Sequence, residues 1–151
     1  MFDTLLWATD GSAEADAALA HAVALLAPGG RLIVFHCDQR FQGGRIGSEP
    51  LYADEVDRRT KIRAQADQLR TDGLDVDLIV DVTHHSAAER IAHVAEEHHA
   101  DAIICGSRGL GAIAGTLLGS VTRRLIHVAT CPVVVVPEGA MRRHKEPVAT
   151  V

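Results

Sequence analysis

"GSRGLGAIAGTLLGS", residues 106 to 120, places five glycines in fifteen positions: Gly106, Gly109, Gly111, Gly115 and Gly119. The apolar run "DAIIC" (101–105) ends where it begins, and the amphipathic run "SVTRRLIHVA" (120–129) starts at its last residue. Glycine loses more backbone entropy on folding than any other residue. Such a density therefore marks a turn where backbone must bend sharply or approach something closely. A strand, a glycine-rich turn and a helix in that order form the repeating unit of a parallel α/β fold.

The rest of the chain repeats the unit. "DTLLWATD" is a short apolar strand ending at Asp10, and Ser12 can cap a helix with Ala18, Ala22, Leu25 and Leu26 on one stripe. "APGG" stops that helix, and "RLIVFHC" is a second strand. A long polar connection follows over 38–53, then a helix from about Asp54 to Arg70 with Ile62, Ala66 and Leu69 inward. "DVDLIVDV" sets Val76, Leu78, Val80 and Val82 against Asp75, Asp77 and Asp81, the alternation of a half-exposed edge. Ser86 and Glu89 make an S-x-x-E capping pair before a helix that buries Ile91, Val94 and Ala95. "PVVVV" supplies a fifth strand. Alternating strands and helices imply right-handed crossovers and a parallel sheet covered on both faces. With 151 residues the chain makes one domain, here 1–138, followed by a loose tail over 139–151.

Composition excludes several classes. Apolar residues are 47% and charged residues 23%, an ordinary globular mix. Aromatics are only 3% and the formal net charge is −5, which argues against nucleic-acid or anionic-membrane partners. No run reaches transmembrane length and the first residues carry no signal-peptide pattern. Cys37, Cys105 and Cys131 each sit in or beside an apolar run and read as reduced core thiols of a cytoplasmic protein.

The glycine-rich turn lies at the carboxyl end of a strand, where ligands of open parallel sheets sit. A helix N-terminus has unpaired N–H groups and a partial positive charge, which favours phosphate. Gly119 and Ser120 stand at such a start, with Thr122 offering a second hydroxyl. From Ala102 to Pro137 there is no Asp or Glu, while Arg108, Arg123, Arg124 and His127 are present. An acidic chain cleared of acid in one segment suggests an anion there. The P-loop pattern is absent because no lysine follows these glycines. "GLGAIA" fits the dinucleotide fingerprint, but it follows the fourth strand and has no acid about 20 residues on.

At this point the chain resembles the universal stress protein family, whose nucleotide motif is G-x2-G-x9-G-[ST]. Gly106, Ser107, Arg108 and Gly109 give its first half, Leu110 to Leu118 the spacer, and Gly119 with Ser120 its end. The flanks "DAIICGSRG" and "GSVTRRLIHVATCPVVVVP", the opening "ATDGS" and "LIVFHC" fit as well. The resemblance covers residues 2 to 137 and implies a five-stranded sheet in order 3-2-1-4-5. It also implies ATP or a related adenine nucleotide between the ends of strands one and four. Asp10 and Thr9 would then face the adenosine, and the Cys37 backbone the adenine edge. Gly106, Ser107, Arg108 and Gly109 would border ribose and phosphates. Gly119, Ser120 and Val121 would hold phosphate through backbone amides, with Thr122 assisting. Where members often carry Gly-x-Pro or Gly-x-Ala after strand three, this chain reads "DVTHHSAAERI".

Other chemistry finds less support. No HExxH or CxxC metal pattern occurs, and Mg²⁺ carried on nucleotide phosphates is the expected metal. G-x-S-x-G is absent, and no catalytic residue is assigned. Asp10 reads equally as a turn residue before Gly11 and Ser12 or as a nucleoside acceptor. The resulting expectation is an ATP-binding stress-response regulator with at most slow hydrolysis or self-phosphorylation at Ser120 or Thr122. The rivals are a nucleotide-independent partner-binding module and an adenylate-transferring enzyme, for which "TDGSAEA" lacks a Ser-Gly-Gly loop. Val133, Val134, Val135 and Val136 form an uncharged strand at a sheet edge, which predicts a homodimer through that strand.

Overall fold

Along Phe2–Ala8 (β1) side chains alternate between two apolar layers, Leu5 and Trp7 on one side, Leu6 and Ala8 on the other. A strand apolar on both faces belongs inside a parallel sheet. The computed structural model describes residues 1–39, 49–83, 86–110, 115, 117–137, 139 and 140. After β1 come α1 (Ala13–Leu25), β2 (Leu26–Gln39), α2 (Glu49–Thr71) and β3 (Asp75–Thr83). Then follow α3 (Ala87–Glu97), β4 (Ala102–Gly106), α4 (Ser120–Val128) and β5 (Val133–Val136). The five strands are parallel in the order β3-β2-β1-β4-β5, with β1 at the centre. The chain is therefore a single-domain α/β fold, with four helices among the described residues.

Each face of the sheet carries two helices. On one, Ala15, Ala18 and Ala22 of α1 and Ile62, Ala66 and Leu69 of α2 pack on Leu5, Trp7, Leu32 and Val34. On the other, Ala88, Ile91, Val94 and Ala95 of α3 and Leu125 of α4 pack on Leu6, Ile33, Phe35 and Ile103. Trp7 is fully buried, and its indole Nε1 donates to the Ala15 carbonyl at 3.0 Å. That bond fixes the first turn of α1 over β1 and so sets the short loop between them.

Local sequence explains the starts. Ser12 caps α1, its hydroxyl accepting from the Ala15 N–H, and Ser86 caps α3 by accepting from Glu89. Two boundaries differ from the pattern. Leu26 leaves the helix stripe: it is extended (φ −70°, ψ 138°), sends its N–H to the Ala22 carbonyl, and opens β2 opposite Phe2. "APGG" therefore lies within β2, across a register shift between Phe2 and Thr4. The second helix begins at Glu49, earlier than Asp54, because "EPLYA" continues it upstream of the charged run. Proline at the second helical position, Pro50, is tolerated because its missing N–H has no intrahelical partner there.

The edges are unlike. β3 carries three aspartates, of which Asp77 pairs with Arg31 and Asp81 with Arg90. β5 has no charged residue. Among the described residues no helix is long and apolar enough to cross a membrane. Residues 40–48, 84–85 and 141–151 lie outside the described residues, and with them the middle of the long connection, the paired-histidine turn and nearly all of the tail; the ends of that connection belong to β2 and α2.

Candidate functional site

The strand order reverses between β1 and β4, and the chain leaves both strands at the same end of the sheet. A cavity of about 360 Å³ opens there. Ala8, Phe35, Ala87, Ile91, Cys105 and Leu125 give it an apolar floor on the face covered by α3 and α4. Thr9, Asp10 and Cys37 border it from β1 and β2, and Gly106, Arg108 and Gly109 from the segment after β4. Gly119, Ser120, Val121 and Thr122 complete it from the start of α4.

Asp10 ties two loops together. Its Oδ1 accepts from the Ser12 N–H at 3.0 Å, and its Oδ2 from the Leu110 N–H at 2.8 Å. The turn role is present: the carboxylate accepts main-chain N–H from both sides and keeps lone pairs beyond those two bonds. Thr9 is buried; its N–H donates to the Phe35 carbonyl and its hydroxyl accepts from Gly11 N–H. Gly11 has φ +78°, which glycine adopts without strain, and a Cβ there would also press on Arg58 at 3.1 Å.

Close approach answers for two of the five glycines. A Cβ on Gly109 would stand 2.2 Å from Asp10 Oδ2, and one on Gly106 would stand 3.0 Å from the Glu14 carbonyl group on α1. Gly115 has φ +87°. Gly111 lies outside the described residues. Gly119 is the N-cap of α4, with no side chain capping the helix. Its own N–H donates to the Ser107 carbonyl, and the first intrahelical bond shown runs from Arg123 N–H to Gly119. The amides of Ser120, Val121 and Thr122 precede that bond, at the positive end of the helix dipole.

The remaining expected site residues divide. Ser107 is buried away from the cavity: its N–H donates to the Val136 carbonyl and its carbonyl accepts from Gly119, so it splices the turn to β5. The Thr122 hydroxyl lines the cavity but donates to the Gly106 carbonyl at 3.0 Å, inside the fold. Ser120 is exposed at the rim. The basic bias of this segment is mostly spent elsewhere. Arg124 pairs with Glu89 of α3 at 2.7 Å, and of the four basic residues only Arg108 lies on the cavity wall.

The thiols are chemically quiet. Burial, reinforced by Asp81, pushes Cys37 up to about 11, and burial pushes Cys105 up to about 11, with the neighbouring Thr122 acting in the opposite direction. Burial also raises Cys131. Among the described residues no group of three or more His, Cys, Asp or Glu is placed to hold a metal ion; His98 caps α3 through its backbone, and His99 follows in a left-handed conformation (φ 53°).

Phe35, Ala87 and Ile91 were not expected as lining residues. Their signal was present. Phe35 and Cys37 share a strand face, and Ala87 and Ile91 are one helical turn apart behind the Ser86 cap. The cluster of His36, Glu55, Arg59 and Asp38 at the end of β2 was missed as well. Its partners come from different elements, so no local spacing reveals it.

The profile of the universal stress protein family matches residues 1–137. The chain belongs to that family. A universal stress protein of Thermus aquaticus, named for the 3′ region of a QAH/OAS sulfhydrylase, is 37% identical over 145 residues, covering 90% of this chain and 99% of its own. Among solved structures, the hypothetical protein MJ0577 superposes with a TM-score of 0.74 at 29% identity, over 91% of this chain and 96% of its own. A universal stress protein in complex with cAMP superposes at 0.56 with 26% identity, over 89% and 96%. In this universal stress protein Gly106, Gly109, Gly119 and Ser120 all border the cavity.

Proposed function

We propose that this universal stress protein binds an adenine nucleotide, ATP foremost, in the cavity between β1 and β4, and acts as a nucleotide-dependent regulator in a stress response. The carrying observation is the pairing of an apolar floor with an uncapped helix N-terminus on one cavity. A flat aromatic base suits the first, and phosphate suits the second. The cAMP complex of a related protein supports the ligand class. The Cys37 backbone would meet the base edge and Thr9 and Asp10 the nucleoside. Gly106, Arg108 and Gly109 would border ribose and phosphates, with Ser107 holding their turn. The amides of Ser120, Val121 and Thr122 would bind the phosphate, with Gly119, whose N–H is held by Ser107, framing it.

Turnover would be slow. Among the described lining residues Asp10 is the sole carboxylate, and both its oxygens already accept main-chain N–H groups. A single carboxylate held by two loops leaves no second acid to position water or to share a metal ion. Mg²⁺ would therefore ride chiefly on the nucleotide phosphates. Self-phosphorylation would fall on exposed Ser120, because the Thr122 hydroxyl is buried against Gly106. The three free cysteines fit a reducing, cytoplasmic compartment.

The second part of the proposal is a homodimer through β5. The Ile103 N–H donates to the Pro132 carbonyl, and in a parallel ladder the residues facing the neighbour alternate. Val134 and Val136 thus turn their main chain to β4, leaving the N–H groups of Val133 and Val135 on the open edge. A two-fold mate pairing the same strand antiparallel would satisfy them.

Mass identification of small molecules released on heat-denaturing the purified protein, with calorimetric titration of ATP, tests the nucleotide reading. Bound or titratable adenine nucleotide is expected. A parent protein that releases none and binds none overturns it.

A further inference from the structure

Leu32, Val34 and His36 alternate onto the α1–α2 face of β2, so a histidine takes the last inward place there, 3% exposed. Phe35 and Cys37, on the opposite face, line the cavity. His36 therefore lies across the sheet from the site and touches it through one peptide. Its Nδ1 is 2.9 Å from the Thr9 carbonyl oxygen, and its Nε2 is 2.7 Å from Glu55 Oε1 on α2.

Both partners are acceptors. A carbonyl oxygen has no proton to give. The Glu55 carboxylate accepts from Arg59 Nε at 2.9 Å, and its other oxygen stands 3.7 Å from Arg58 Nε. A neutral imidazole has one N–H, so it can satisfy one of these contacts and not both. Satisfying both contacts at once takes a ring that carries both protons.

The charges around the ring are arranged for this. From α2 come Glu55, Arg58 and Arg59; from β2 itself Asp38, which pairs with Arg59 at 2.9 Å. β1 offers the Thr9 carbonyl. On β3, Asp81 is bound to Arg90 of α3. On α1, Asp16 is taken by Lys61 and Gln65 of α2. Lys61 also donates to the Gly11 carbonyl, so α2 grips the β1–α1 loop at a second point.

We propose that His36, carrying both ring protons, is a positioning residue that clamps the Thr9–Asp10 peptide to Glu55 of α2, and that loss of one ring proton releases the clamp and weakens ligand binding. The consequence for the site follows from connectivity. The Thr9–Asp10 peptide aims the Asp10 carboxylate that binds Ser12 and Leu110 across the cavity mouth. A released clamp lets that carboxylate wander. Affinity is therefore full at low pH and falls as pH rises through loss of the ring proton. Net loss of one hydrogen bond of this kind weakens binding by about three- to tenfold. The affinity part rests on the nucleotide reading above; the clamp itself does not.

The experiment follows the ring, the loop and the ligand separately, in protein labelled with ¹⁵N-histidine, from about pH 5.5 to 8.5, the range in which histidine titrates. In the parent, both His36 nitrogens should carry protons at the acid end. Loss of one should coincide with faster exchange of the Gly11 and Ser12 amides, beyond the intrinsic pH effect, and with weaker ATP binding. Glu55→Gln should loosen the same amides at the acid end, and His36→Gln should make both exchange and affinity independent of pH at the weakened level. A ring with a single proton throughout overturns the proposal, as does exchange that fails to follow the ring. A parent that binds no ATP at any pH refutes the nucleotide reading alone, and ring and amides then decide the clamp: tracking supports it, independence overturns it.

Discussion

Gly109→Ala isolates one contact of the site. Gly109 has no positive φ, so alanine meets no backbone strain there. The obstacle is a single group: the new Cβ would lie 2.2 Å from Asp10 Oδ2, with Asp10 Cγ at 3.2 Å. The carboxylate must retreat by about 1 Å to reach van der Waals contact. Leu110 N–H is the next residue along, so a retreat from Gly109 also breaks the 2.8 Å bond from that N–H. A hydrogen bond to a charged group contributes about 1.5–3 kcal/mol, and exposure of this one puts it near the lower end. The substitution should cost about 1.5–2 kcal/mol, or roughly 4–7 °C in melting temperature for a domain of this size. Thermal unfolding by circular dichroism of parent, Gly109→Ala, Asp10→Ala and the double variant measures it. In the Asp10→Ala background nothing blocks the new methyl, so the second substitution should be close to neutral and the cycle should show a coupling of about 1 kcal/mol or more. Equal costs of Gly109→Ala with and without the Asp10 carboxylate would refute the reasoning.

Gly119→Glu should abolish ATP binding in calorimetry with the circular dichroism unchanged, because it sets a negative charge among the amides at the start of α4; retained affinity would move the phosphate site elsewhere. Cys37 should react with iodoacetamide at pH 8 about a hundredfold more slowly than an ordinary thiol, since its pKa near 11 leaves little thiolate, and ATP should slow it further. Cys105 contributes stability that is full below about pH 9 and lost as pH rises toward 11, because the unfolded thiol ionises first; Cys105→Ala should flatten that alkaline limb in denaturant titrations. Val135→Pro should shift the protein to monomer in sedimentation velocity without loss of helix signal, because its N–H faces the open edge, whereas Val134→Pro should also weaken β5 against β4.

The architecture was legible because it depends on which faces are apolar. β1 reads as a buried strand from Leu5, Leu6, Trp7 and Ala8, β3 as an edge from its three aspartates, and the helix starts from Ser12 and Ser86. What stayed hidden depends on pairs of elements. Nothing near His36 in sequence shows that Glu55, nineteen residues on, will cover its Nε2, since the distance is set by how α2 crosses the sheet. Leu26 was misplaced for a related reason: it is apolar in either state, and only pairing with Phe2 decides for the strand.

The number of basic residues along a segment and the charge that faces a cavity are different quantities. Counting charges along 102–137 ignores direction, and α4 sends its cations away from the cavity. Arg123, Arg124 and His127 are exposed, and Arg124 is neutralised by Glu89. What remains at the site is Arg108 and a helix N-terminus whose partial charge is fixed in space. That arrangement changes the expected salt response. A cluster of four mobile cations would lose affinity steeply as ions screen it, whereas backbone amides held at 2.8 Å geometry by Gly119 and Ser107 act at contact distance, inside one Debye length. The site therefore depends more on the exact backbone course from Gly106 to Thr122 than on the number of arginines around it, which is also why three of its glycines are constrained by close neighbours or by φ.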